Sequence, residues 1–374
     1  MKKASLAIFL AACAGMLLLD FGSGGDGGVR ARVVAVDDSN LTTLGFVRYG
    51  TQSLEVEALD GAHAGRRFKA GNVVRGQMEL DTIYAVGDTV LASAPHVDGD
   101  AAGDETLTVR SPWRLGPMAW AFAAFAALLV AFGGIVGLNA LSSFLFCCLA
   151  IWKIVIPLTL AGWNASLVAF AATGAMTATI MMLVGGFSRK AFVAFGGAML
   201  GVASGLGLAH LFGRLMGVNG ATLPFVQTLV YSGCANLNLA DVFVAATVLA
   251  GSGAMMDLSM DIAAGVREVA RHNPGLGFKA LFMSAIRIGR ATVGTMTTTL
   301  LLAYSGGYLS LLMVFAAQGT PPAAFLNSPL VAAEVAKTLV GSFSIILVAP
   351  FTALLAAGAF ACRRCAQRQG EACP

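Results

Sequence analysis

Asp257 and Asp261 stand four residues apart inside an apolar run, Gly253-Ala-Met-Met-Asp-Leu-Ser-Met-Asp261. That spacing puts both carboxylates on one face of a helix. Arg287 and Arg290 open the next apolar run, and Thr292, Thr295, Thr297, Thr298 and Thr299 crowd its start. A charged side chain in the middle of a bilayer costs about 2.5–3.5 kcal/mol on insertion scales, so each one needs a reason. Carboxylates opposite an arginine pair suit a binding site for a cation, a proton or a polar solute, with Arg290 as the counter-ion. They equally suit a structural ion pair that ties two helices together near the interface. Threonine hydroxyls either bond a carbonyl of the preceding turn or line a wet path. Thr295 and Thr299 are the lining candidates. Lys153 lies deep in an apolar run beside Trp152, where it can pair with Asp257 or Asp261 or line the same path.

The other polar groups read more plainly. His210 lies near a helix end, and Asn327-Ser328 with Glu334 and Lys337 reads as a capped helix start. Glycine interrupts two runs, at Gly251-Ser-Gly-Ala254 and Ser305-Gly-Gly307, and Pro350 interrupts a third. Discontinuous helices form midplane sites in several transporters, although glycine also serves close helix packing. Enzyme motifs are missing. Rhomboid-type proteolysis needs G-x-S-G, and Ala250 stands at its first glycine. Intramembrane aspartyl proteolysis needs aspartates on adjacent helices, whereas Asp257 and Asp261 share one. There is no P-loop, H-E-x-x-H or dinucleotide fingerprint. Cys362-x-x-Cys365 has no second ligand pair, so no metal site and no cofactor is expected.

Those residues sit in a chain of 374, of which 57% are hydrophobic and 12% charged, with a mean hydropathy of +0.77. A soluble domain carries about a quarter charged residues. The composition therefore excludes a soluble enzyme, a disordered chain and a secreted disulfide scaffold, and indicates an integral membrane protein. The charge is segregated: residues 20–111 hold 8 Lys/Arg and 14 Asp/Glu, a balance of −6, while the remainder hold 16 and 6, a balance of +10. No basic, aromatic-interleaved patch points to nucleic acid.

Four parts follow from this patterning. Residues 1–27 read as an uncleaved signal anchor, with Lys2-Lys3 before an apolar run; a cleaved signal peptide is the competing reading. Residues 28–111 alternate in short runs (31–36, 45–49, 53–59, 67–70 and 89–93) between Gly/Asp turns, the pattern of a small OB-like barrel or sandwich. Asp98–Glu105 reads as an acidic linker. Residues 112–361 carry spans at 116–137, 140–161, 164–186, 191–212, 239–262, 291–317 and 338–360, and 362–374 form a basic tail. With the anchor that makes about eight transmembrane segments. The span 291–317 is long and broken at Ser305-Gly306-Gly307, so it is one interrupted crossing or a re-entrant pair. With the N-terminus inside, twelve Lys/Arg lie on the inner side, against Arg114 and Arg214 outside. Both termini are then cytoplasmic and the β-domain extracytoplasmic.

Several segments in register carry a resemblance. They are Val184-Gly-Gly-Phe-Ser-Arg-Lys190, the run ending Asp257-Leu-Ser-Met-Asp261, Ile288-Gly-Arg-Ala-Thr-Val-Gly-Thr-Met-Thr297, Leu302-Ala-Tyr-Ser-Gly306, Leu326-Asn-Ser328, Leu339-Val-Gly-Ser342 and Ala349-Pro350. Together they resemble the YibE/F family of bacterial multi-pass membrane proteins, over roughly residues 30–360. The resemblance implies a bacterial cytoplasmic membrane and supplies no mechanism. It carries over Asp257, Gly289, Arg290, Gly294, Thr295, Thr297 and Asn327 by position.

The expectation is a transporter or permease-like protein, not an enzyme, moving an ion or small polar solute between spans 239–262 and 291–317. Its site residues would be Asp257, Asp261, Arg290, Thr295, Thr299 and Lys153. The alternative is an envelope scaffold or assembly factor whose β-domain binds an envelope protein. The lipid bilayer is the expected environment, and the glycine faces permit a homo-oligomer.

Overall fold

A computed structural model describes residues 28–60, 64–77, 81–93, 106–234 and 236–361. The expected anchor at 1–27, the acidic linker at 98–105 and the tail from Cys362 lie outside the described residues.

Six strands build the N-terminal part: β1 (Val29–Asp37), β2 (Leu41–Leu44), β3 (Val47–Ala58), β4 (Arg67–Arg75), β5 (Thr89–Ala92) and β6 (Thr106–Pro112). The pairing order β1-β5-β6-β4-β3, closed by β1 against β3, makes a five-stranded barrel with β2 as an added hairpin strand. All pairings are antiparallel except β4 with β6. Strict alternation fills the interior: Leu54, Val56 and Ala58 from β3 meet Phe68 and Ala70 from β4 and Leu107 and Val109 from β6. Two expected strands, 45–49 and 53–59, are one strand, because Gly50 (φ +129°) takes a conformation closed to L side chains and carries the strand past the Asn40 carbonyl. A buried polar ladder completes the barrel. Gln52 is fully buried; it donates to Asp38 Oδ1 (2.8 Å) and the Tyr84 carbonyl (2.9 Å), and it accepts from the Tyr84 N–H (3.1 Å) and Asn72 Nδ2 (3.1 Å). These bonds satisfy every group that burial would otherwise strip of water.

The rest is helical: α1 (Leu115–Leu160), α2 (Ala165–Gly185), α3 (Arg189–Leu215), α4 (Val226–Tyr231), α5 (Leu239–His272), α6 (Phe278–Gly307), α7 (Leu309–Ala317), α8 (Pro322–Leu326) and α9 (Pro329–Phe360). Side chains cap the starts of α2, α3 and α5: Asn164, Ser188 and Asn238 each accept from backbone N–H groups of the first turn. Among the described residues five helices are long and apolar enough to cross a bilayer, and α6 with α7, bent by 63°, makes a sixth if the pair is one span. The spans expected at 116–137 and 140–161 are a single run, α1, broken at Gly134 (φ 53°, ψ −126°) rather than at 138–139. A straight α1 of 46 residues would be about 69 Å long, over twice a bilayer core of about 30 Å. Beyond that break, Gly137 packs onto the Leu129 backbone, eight residues earlier.

The bundle core is shared by α3, α5, α6 and α9. Gly197, Gly201 and Gly205, four apart on α3, face Thr352, Val348 and Ser344 of α9. A Cβ at Gly197 or Gly201 would overlap those side chains, so glycine sets the approach of the two helices.

Candidate functional site

The sequence-derived site residues fall on α1, α5 and α6. Asp257 and Asp261 share one face of α5, as their spacing requires, and both are exposed. Arg287 and Arg290 are exposed on α6. Among the described residues no ion pair joins either aspartate to Arg287 or Arg290. Lys153 is half-buried in a π-helical turn of α1, Ile151–Val155. The Thr295 hydroxyl donates to the Thr292 carbonyl (2.9 Å) and Thr299 to the Thr295 carbonyl (2.9 Å). Both hydroxyls are thus occupied by the preceding turn.

A different pair of charges is enclosed. α9 begins at Pro329 behind Ser328, nine residues before the expected span start, so Glu334 and Lys337 lie inside the helix. Lys337 Nζ is 2.6 Å from Glu334 Oε1, and the two side chains are only 11% and 15% exposed. Nζ also donates to the Tyr308 hydroxyl at 3.4 Å. It sits 5.3 Å from the Tyr308 ring centre and 5.8 Å from that of Phe243, within cation–π range. Three parts of the chain therefore position the pair: α9 supplies both charges, the break between α6 and α7 supplies Tyr308, and α5 supplies Phe243.

Beside the pair is a cavity of about 280 Å³ between α6, α7, α8 and α9, whose lining includes Tyr304, Tyr308, Phe325 and Glu334. Two buried polar atoms there, Glu334 Oε2 and the Tyr304 hydroxyl, have no hydrogen-bond partner among the described residues. Burying such groups unpaired costs about 1–3 kcal/mol each. Sequence reasoning missed this site because it started the span after the last charge. The available signal was two opposite charges at i and i+3 in an otherwise apolar stretch behind Ser-Pro, a helix start.

The profile of the YibE/F-like protein family matches residues 121–361. The chain belongs to this family. Its match covers the helices that hold both charge clusters and leaves the barrel outside, where the resemblance had been expected to begin near residue 30. No curated protein and no solved structure matches this YibE/F-like chain.

A third polar cluster in this family member is saturated. Asp241 accepts from Asn164 Nδ2 (3.0 Å) and Asn238 Nδ2 (2.9 Å), and His210 Nε2 lies 3.4 Å from its other oxygen. These contacts fasten the ends of α2, α3 and α5 to one another. With its oxygens committed, Asp241 is architectural.

Proposed function

We propose that this YibE/F-like protein is a bacterial multi-pass membrane protein of transporter or permease type, with its solute site at the bend between α6 and α7. The carrying observation is a Glu–Lys pair buried beside a cavity where a membrane-length helix is broken. Ionisable groups inside apolar bundles mark solute and proton paths, and broken helices form the sites of several transporters. Glu334 Oε2 offers an acceptor and Tyr304 a donor, while the rest of the lining is largely apolar. A small hydroxylated solute satisfies both groups at once; a proton needs only the carboxylate. The OB-like barrel would stand outside the cell, with both termini in the cytoplasm.

Reconstitution into liposomes tests the reading. Stopped-flow light scattering follows glycerol entry, and a sealed pH-sensitive dye follows protons. Wild type should exceed empty liposomes in at least one arm, and Glu334→Gln should remove at least nine-tenths of the excess. Flux equal to empty liposomes in both arms would end the transport reading.

The barrel supports a second reading, a non-transporting scaffold that binds an envelope protein. The hairpin between β2 and β3 presents Leu44 and Phe46, the latter 99% exposed. Capture of one envelope protein by wild type but not by Phe46→Ser, with no flux in either arm, would favour it.

A further inference from the structure

α5 and α6 leave one side of the bundle uncovered, and that side is charged. Gly265 of α5 faces Ile288 of α6, and Ile262 faces Gly289, so Asp261 and Arg290 stand at the same depth on neighbouring helices. Helical periodicity then puts Gly253, Asp257 and Asp261 on the exposed arc of α5. The adjoining arc of α6 exposes Arg287, Arg290, Gly294 and Thr295. Among the described residues neither aspartate forms an ion pair with an arginine. In a bilayer this surface cannot simply meet lipid. Asp241 and Asp257 are sixteen residues apart, about 24 Å along a helix, against a hydrocarbon core of about 30 Å. At least one of them lies within the core; among the described residues Asp241 has hydrogen-bond partners, and no hydrogen bond or ion pair is made by the Asp257 side chain.

We propose that this side is the interface of a homodimer, in which the acidic stripe of one copy faces the basic stripe of the second and Asp261 pairs with Arg290. The surface is complementary to itself: an acidic stripe on α5 beside a basic stripe on α6. A two-fold axis along the bilayer normal preserves depth, so it brings Asp261 of each copy to Arg290 of the other. A Cβ at Gly253 or Gly294 would meet open space, which leaves room for a second backbone to approach closely. The inference rests on the bilayer reading above and does not require transport.

Two differently tagged full-length copies, co-expressed and solubilised in mild detergent, provide the test. Wild-type copies should co-purify and run at twice the mass of one chain. Asp261→Arg alone, and Arg290→Asp alone, should each cut recovery at least ten-fold, because like charges then face each other twice. Co-expressing the Asp261→Arg copy with the Arg290→Asp copy should restore recovery, since both contacts again join opposite charges. A monomeric wild type would overturn the proposal, and that reading depends on no variant. So would reversals that leave recovery unchanged, or a mixed pair that recovers no more than either variant alone. Alkaline carbonate washing of the same membranes separates the two failures. A chain that is washed off overturns the bilayer reading, while an integral monomer overturns only the dimer.

Discussion

Glu334 and Lys337 are enclosed and touch each other, whereas Asp257, Asp261, Arg287 and Arg290 are exposed and, among the described residues, form no ion pair. The two clusters are made of the same chemistry and sit in helices of similar character. What separates them is the neighbour that completes each one. Lys337 has Glu334, Tyr308 and Phe243 around it, and the bundle has already met the cost of removing both charges from water. The stripe on α5 and α6 is incomplete in a single chain. A charge count cannot tell these cases apart; only the surroundings can.

The largest effect should come from breaking the enclosed pair. Lys337→Met leaves Glu334 buried without its counter-charge and should cost about 3–5 kcal/mol, seen as a drop in thermal stability in detergent. Adding Glu334→Gln should recover most of that loss. A double variant as unstable as Lys337→Met would mean that packing, not charge, dominates there. Next in size is Gly201→Leu, which drives a side chain into Val348 and should cost about 1–3 kcal/mol or more in the same assay. Intact stability there would show that the contact between α3 and α9 does not hold α9, and with it the pair, in place. Asp257→Asn removes a charge that has no ion-pair partner among the described residues, and should move the stability of the monomer by no more than about 0.5 kcal/mol. A loss several times larger would place that aspartate in a contact comparable to the Glu334 pair. The smallest effect belongs to Thr295→Val with Thr299→Val. Their hydroxyls serve the preceding turn, so stability should again stay within about 0.5 kcal/mol and flux should be unchanged. A marked loss of flux would restore the threonines as part of a path.

How much was legible differs by region for physical reasons. Alternation in β3 and β4 is a local signal, and it located the barrel walls. The sixth strand was missed because 106–112 follows an acidic stretch that reads as linker. Gln52 and Asn72 fall outside the expected runs 53–59 and 67–70, and nothing local shows that a segment near Tyr84 will close over them. Helix positions were legible from hydropathy, yet their ends were not. A span defined by apolar content stops at the first charge, so the expected span 338–360 left out Glu334 and Lys337, which read only as part of a capped helix start. The same habit drew attention to Asp257 and Asp261, which lie too deep in their run to be trimmed away. Spacing put those two on one face correctly, but only packing shows which way that face points.

The most direct test compares the two carboxylates in one assay. Glu334→Gln and Asp257→Asn, reconstituted at equal protein-to-lipid ratio, are measured for glycerol and proton entry beside wild type. The account predicts at least a ten-fold loss of the wild-type excess for Glu334→Gln and a change of less than two-fold for Asp257→Asn. The reverse order, with Asp257→Asn inactive and Glu334→Gln near wild type, would contradict it.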